Sequence, residues 1–222
     1  MIEIEIDSRK IGAMKGETVL VAARRVGIHI PALCYHEVLS PYGTCRLCSV
    51  EVVRRGRSRV VTACLYPVSQ GLIVKTNTER IKRLRKGIME LLLARSSSSE
   101  TIQRLAKEMG VEEVRFPKEE ENCILCGLCT RVCIEIAEVE AISLVNRGVK
   151  REVAPPFGEI SDVCIGCGGC AYVCPTGTIR IDGEYIKLGD NVFGKLNEFR
   201  KKDTGETIKE VLKIDLKEEK NG

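Results

Sequence analysis

Tryptophan is absent from this sequence, histidine occurs twice, and aromatic residues make up only 4%. A surface that stacks nucleic-acid bases is therefore not expected. No G-x-G-x-x-G, no Walker loop and no nucleotide-binding βαβ pattern occurs, so no nucleotide or flavin site is expected on this chain. No apolar run approaches membrane-spanning length. The start, M-I-E-I-E-I-D, lacks the basic and apolar regions of a secretion signal. What the chain has in quantity is cysteine, 12 in 222 residues. Disulfide frameworks belong to short secreted domains. Here every cysteine falls in a ligand-like group, which points to metal chemistry in a reducing compartment, the cytoplasm.

Two stretches share the spacing C-x2-C-x2-C-x3-C: C-I-L-C-G-L-C-T-R-V-C at 123–133 and C-I-G-C-G-G-C-A-Y-V-C at 164–174. That run is the bacterial ferredoxin signature for 4Fe–4S clusters, in which the fourth cysteine ligates the other cube. Cys123, Cys126, Cys129 and Cys174 are therefore expected to hold one cube, and Cys164, Cys167, Cys170 and Cys133 the second. Gly127, Gly166, Gly168 and Gly169 allow the tight backbone wrap this requires. Pro175 follows the second run, whereas Ile134 stands at the matching place after the first. Paired zinc sites would use separate C-x2-C units instead of two identical four-cysteine runs.

The other four cysteines, Cys34, Cys45, Cys48 and Cys64, are spaced C-x10-C-x2-C-x15-C. Plant-type 2Fe–2S ferredoxins use C-x4-C-x2-C and a distant fourth cysteine. The first gap here is wider, but the close pair is kept, and four thiolates from two loops suit a flat 2Fe–2S rhomb. A structural zinc is the rival. His29 and His36 are surplus to a four-cysteine site and read as loop residues.

The expected fold is α+β. Alternating Ile2–Ile6, a second strand over 9–14, a helix capped by Thr18 and stopped by Gly27, and strands at 49–53, 59–62 and 72–75 give an N-terminal β-grasp 2Fe–2S ferredoxin domain over 1–77. A helical linker follows at 78–115. It is capped by Thr78, with an apolar stripe of Ile81, Leu84, Ile88, Leu91 and Leu92, and a second helix runs over 100–109 to Gly110. A bacterial-type 2x(4Fe–4S) ferredoxin domain occupies 116–182. Within it, a strand at 141–145 is expected to pair with 178–181 about a pseudo-twofold. Residues 183–222, with 9 basic and 9 acidic side chains, read as a polar extension, with a strand or short helix at 207–216.

The formal charge of +4 is no argument for nucleic acid, because each oxidised cluster with four thiolates adds roughly −2. The tract Arg54, Arg55, Gly56, Arg57, Ser58, Arg59 reads as a solvated hairpin tip or docking patch. Residues 1–77 carry 11 Lys/Arg against 6 Asp/Glu, and 116–182 carry 6 against 10. The C-terminal module is therefore expected to meet a basic surface on a partner.

The three cysteine groups in this order resemble the iron–sulfur diaphorase subunit of NAD-reducing hydrogenases and the N-terminal region of the large iron–sulfur subunit of respiratory complex I. The matching pieces are P-A-L-C-Y-H, G-T-C-R-L-C-S-V-E-V, I-M-E-L-L-L-A-R and the two four-cysteine runs with their trailing P-T-G, over roughly residues 1–182. The resemblance implies an electron-transfer subunit, itself non-catalytic. Its neighbours would be a flavin- and NAD(P)-binding subunit and a catalytic subunit such as hydrogenase or formate dehydrogenase, in a complex that can include electron bifurcation. Such relatives often carry a His/Cys3-ligated cluster after the L-L-L helix. Residues 95–122 contain neither residue, so that site is expected to be missing. A free-standing polyferredoxin, or an iron–sulfur redox sensor, is the competing reading.

Overall fold

The computed structural model describes residues 1–119, 121–201 and 203–214. The chain forms two compact units, Met1–Tyr35 with Pro41–Glu120, and His36–Ser40 with Glu121–Gly222. Among the described residues, no helix is long and apolar enough to cross a membrane.

The first unit begins with a hairpin. Strands β1 (Ile2–Ile6) and β2 (Arg9–Ala13) pair antiparallel with Ile4 opposite Ile11. The two turn residues, Asp7 and Ser8, both have positive φ, the backbone of a tight hairpin whose twist matches the strands. Alternation then sends Ile4, Ile6, Ile11 and Ala13 to one face. Helix α1 (Val19–Arg25) lies on that face and buries Val19, Leu20, Ala22 and Ala23; the Thr18 hydroxyl accepts from Val21 N at 3.4 Å as its cap. Strands β3 (Ser49–Arg54), β4 (Arg57–Thr62) and β5 (Ile73–Lys75) complete a five-stranded sheet ordered β2-β1-β5-β3-β4, with β1 and β5 parallel. This is the expected β-grasp arrangement.

Helices α2 (Glu79–Arg95) and α3 (Glu100–Glu108) follow, and the structure groups them with the first unit. Thr78 caps α2 through Ile81 N at 3.2 Å. The face that α2 buries differs from the expected stripe. It is Ile81, Arg85, Met89 and Ala94, while Leu84 and Leu91 are exposed. Arg85 lies on the buried face because its guanidinium reaches the Leu47 and Ser49 carbonyls at the start of β3.

The second unit holds α4 (Leu128–Glu135), β6 (Ser143–Val145), β7 (Glu152–Ala154), α5 (Gly169–Tyr172), β8 (Ile179–Asp182), β9 (Tyr185–Leu188), β10 (Asn191–Lys195) and α6 (Ile208–Val211). The expected pairing of 141–145 with 178–181 is replaced by two local ones. Strand β6 pairs with β7, Leu144 opposite Val153, and β8 pairs with β9, Ile181 opposite Ile186. Each strand finds an antiparallel neighbour a short turn away, which costs less loop-closure entropy than the long-range pairing. The extension after Gly183 therefore adds β9 and β10 to β8 as a meander and contributes a short helix. Thr207 and Glu210 form a reciprocal capping box on α6. Of the element expected at 207–216, residues 215 and 216 lie outside the described residues. The core of this unit joins Ala141, Ile142, Val153, Ile179, Ile186 and Phe193 to Cys129 and Cys133.

Candidate metal centres

Cys34, Cys45, Cys48 and Cys64 come from two loops at one end of the β-grasp sheet, and all four are buried. Cys34 follows the buried Ile30–Pro31 segment. Cys45 and Cys48 precede β3, and Cys64 lies two residues after the end of β4. The wrap between them uses Gly43 and Arg46, both at positive φ. A β-carbon on Gly43 would stand 2.3 Å from Leu65 Cδ1, so a larger residue would both strain the φ of 71° and displace Leu65. The Cys45 amide donates to Cys34 Sγ at 3.4 Å.

The thiols perturb one another strongly. Cys45 is pushed well above the usual thiol range by its hydrogen bond with Cys34, by burial and by charge. Cys64 is raised in the same way by Cys48, and Cys48, as acceptor, is held low. A set of four buried sulfurs that cannot all ionise together calls for a cationic partner. Behind them lies a residue that sequence reasoning passed over. Arg85 of α2 donates Nε–H to Leu47 O at 3.0 Å and Nη2–H to Ser49 O at 2.8 Å, bracketing Cys48. Desolvation lowers its pKa, while the charges of Cys48 and Asp7 act the other way.

In the second unit the first run wraps through Asn122 and Leu125, both at positive φ, to Gly127 at φ 71, the residue that starts α4. Cys129 and Cys133 sit one turn apart on that helix. Cys129 is nearly enclosed, and its thiol is pushed up first by burial, then by Cys126, Cys170, Cys123 and Cys174. Cys133 belongs elsewhere. Burial raises it, the Ala141 and Ile142 amides oppose the rise, and the charges of Cys164 and Glu140 add to it. Cys167 and Cys170 are each raised by burial and by Cys133 and Cys164. Cys133, Cys164, Cys167 and Cys170 also line one narrow hollow, 30 Å³, closed by Ile142, Ile186 and Phe193. The hollow thus gathers Cys133 with the first three cysteines of the second run, while Cys174 and Cys170 both act on Cys129. Four soft sulfur donors in an apolar pocket match the donor set of an iron–sulfur cluster.

Among the described residues, no three His, Cys, Asp or Glu side chains converge tightly enough to hold a single ion. A cluster spreads its thiolates around several irons, which is a wider arrangement. His29 is exposed.

Several contacts to these loops have no counterpart in the motif. The Ala141 amide donates to Cys133 Sγ at 3.2 Å, and the Ile179 amide to Cys174 Sγ at 3.4 Å. Cys174 has a further neighbour, the Thr176 hydroxyl at 3.6 Å, itself 2.7 Å from the Thr178 hydroxyl. The extension packs on the second run. Asn197 N donates to Gly166 O at 2.9 Å, and a β-carbon on Gly166 would lie 2.0 Å from Lys195 O. A β-carbon on Gly194 would lie 2.9 Å from Cys164 Sγ. The signal for this packing was faint: a lone glycine inside the strand-like N-V-F-G-K.

Comparison with known proteins agrees with this division. Residues 1–79 match the 2Fe-2S iron-sulfur cluster binding domain family and 122–178 the 4Fe-4S dicluster domain family. The NADP-reducing hydrogenase subunit HndD of Solidesulfovibrio fructosivorans is 34% identical over 84% of this chain and 37% of its own length. The NADPH-Fe(3+) oxidoreductase subunit alpha of Geobacter sulfurreducens is 33% identical over 81% of the chain and 24% of its own. A subunit of an NADH-quinone oxidoreductase of Rhizobium meliloti is 32% identical over 81% of the chain and 24% of its own. The chain therefore spans between about a quarter and two fifths of these relatives. A crystal structure of an NAD+-reducing [NiFe]-hydrogenase superposes with a TM-score of 0.63 at 29% identity, covering 70% of this chain and 75% of that one.

Proposed function

From the premise that this chain belongs to the iron–sulfur proteins that join a 2Fe–2S cluster-binding domain to a 4Fe–4S dicluster domain, we propose that it relays single electrons inside a cytoplasmic NAD(P)-linked oxidoreductase. Its neighbours in that complex are a flavin- and NAD(P)-binding subunit and a catalytic subunit of the hydrogenase or formate dehydrogenase type. Cys34, Cys45, Cys48 and Cys64 hold the 2Fe–2S cluster. Cys123, Cys126, Cys129 and Cys174 hold one 4Fe–4S cluster, and Cys164, Cys167, Cys170 and Cys133 the other. When bound, these clusters supply one-electron redox centres.

The protein's own part is to exclude water and to aim hydrogen-bond donors at sulfur. The Ala141 and Ile179 amides point at the crossed ligands Cys133 and Cys174. Ile142, Ile186 and Phe193 close the pocket around the second group. Burial and N–H···S bonds of this kind are the means by which a protein sets cluster potentials.

The observation that supports this reading is the hollow lined jointly by Cys133, Cys164, Cys167 and Cys170. Protein purified without air is expected to be brown and to hold about ten irons, two and eight. Cys170→Ser is expected to damage one 4Fe–4S signal by EPR and leave the 2Fe–2S signal whole. Loss of the 2Fe–2S signal with both cubes intact would refute the partition. A free-standing carrier is the alternative, and it predicts a chain that purifies without fixed companions.

A further inference from the structure

The β3–β4 hairpin breaks the rule that built the rest of its sheet. One face of β3 places Val50 and Val52 in the core. Following the period of two, the same face then carries Arg54, and across the pair it carries Arg57 and Arg59. Arg54 stands directly opposite Arg57, a like-charge pair that destabilises a hairpin. Arg55 adds a fourth charge at the tip, at φ 50. Among the described residues, no acidic side chain pairs with Arg54, Arg55 or Arg57. Together with Val52, the four arginines line an open hollow of 690 Å³. Nothing in the folding of this unit requires such a concentration of positive charge.

The patch leads toward the 2Fe–2S ligands. Arg59 lies over the Tyr66 ring, 5.2 Å from its centroid, and donates to the Tyr66 hydroxyl at 2.9 Å. A second hollow, 350 Å³, adjoins at Arg59 and is lined also by Arg46, Leu65 and Tyr66. Arg46 follows Cys45 and Leu65 follows Cys64. Leu65 and Tyr42 are each 45% exposed, so apolar contact lies beside the cluster loop and charge lies above it. Strand β4 is the sheet's outer strand, and edges of this kind are commonly guarded by charge. A guard needs one or two lysines; four arginines around a concavity make a recognition surface, given their planar multi-donor heads.

We propose that this face docks an acidic electron-transfer protein. Carboxylates of the partner would enter the arginine-lined hollow, and its redox group would come to rest over Leu65, beside the loop of Cys45, Cys48 and Cys64. The proposal rests on the relay reading above for its purpose, but not for its geometry. A protein is favoured over nucleic acid because Tyr66 is already covered by Arg59, which leaves Tyr42 as a lone exposed ring in place of a run of stacking rings. It is favoured over a small anion because the two hollows run the length of β4, roughly 20 Å.

The probe is an acidic flavodoxin, titrated calorimetrically against the full cluster-loaded chain at low and high salt. Binding is expected at low salt, to weaken at least about tenfold at high salt, and to weaken about tenfold in Arg55→Glu/Arg57→Glu, while Arg57→Lys, which keeps the charge but not the planar head, weakens it less. Visible and EPR spectra of the 2Fe–2S site report that the variant folds and loads. Flavodoxin hydroquinone should pass one electron to the 2Fe–2S site and become semiquinone, and this rate should fall with the same variant, whereas reduction by dithionite should not. Equal binding by parent and charge-reversed chains overturns the proposal. So does tighter binding of a single-stranded oligonucleotide, or concentration-dependent self-association abolished by the reversal, which would seat a second copy there. Binding that obeys the arginines without electron exchange supports the docking face and refutes the relay reading for this end of the molecule.

Discussion

Thr176 has one proton to give and two neighbours. If Thr178 donates to it, its own O–H is left for Cys174 Sγ, a chain of two hydroxyls ending on a ligand sulfur. The matching position after Cys133 is Glu135, which offers no such donor. A hydrogen bond to a thiolate favours the more negative, reduced state. Thr176→Val is therefore expected to lower the midpoint potential of the cube at Cys123, Cys126, Cys129 and Cys174. At about 1 kcal/mol for the bond the fall is about 40 mV for one electron, read by EPR-monitored titration. The other cube should not move. Arg85 acts on the 2Fe–2S end through charge as well as hydrogen bonds. Arg85→Met strands the Leu47 and Ser49 carbonyls and removes the cation near Cys48. A stability loss of about 3 kcal/mol and a lower 2Fe–2S potential are expected, with Arg85→Lys restoring the potential more than the stability.

At the scale of elements, the cysteine runs were legible because iron dictates ligand spacing more strictly than any local propensity does. The β1–β2 hairpin and the capped helices were legible for a related reason: Thr18, Thr78 and the Ile alternation act through near neighbours. Arg85 was not. A charged residue in a helix reads as solvated, and only the Leu47 and Ser49 carbonyls facing it reverse that. The extension was equally opaque. Ile186, Phe193 and Ile208 are scattered in a polar stretch and acquire meaning only against Gly166, Gly169 and Cys164. The fit at Gly194 is testable. Gly194→Val would drive a side chain into Cys164 Sγ. The cube at Cys164, Cys167, Cys170 and Cys133 is expected to be lost or to become labile, with iron falling by about four per chain and the 2Fe–2S spectrum unchanged.

For the whole molecule, charge and metal act together. Residues 1–77 are rich in arginine and residues 116–182 in carboxylate, and the clusters deepen the contrast. The second unit has a modest apolar core that is partly cysteine, so bound iron contributes to its folding free energy. Anaerobic removal of iron by a chelator is expected to unfold the second unit first. In hydrogen exchange, amides of α4 and β8–β10 should lose protection before those of β1–β5, whose core of Ile4, Ile6, Leu20, Val50 and Val74 stands largely without metal.

The bond from Asn197 to Gly166 has a temporal side. A ribosome releases Cys164–Cys174 well before Asn191–Asn197, so for an interval the pocket at Gly166 lacks its cover and lies open to the machinery that delivers iron and sulfide. Once the last strand settles, the Asn197 amide ties it to the Gly166 carbonyl and covers that loop. Loading before sealing is therefore the expected order, and a chain cut before Asn191 should take up iron and sulfide at this pocket but lose them sooner.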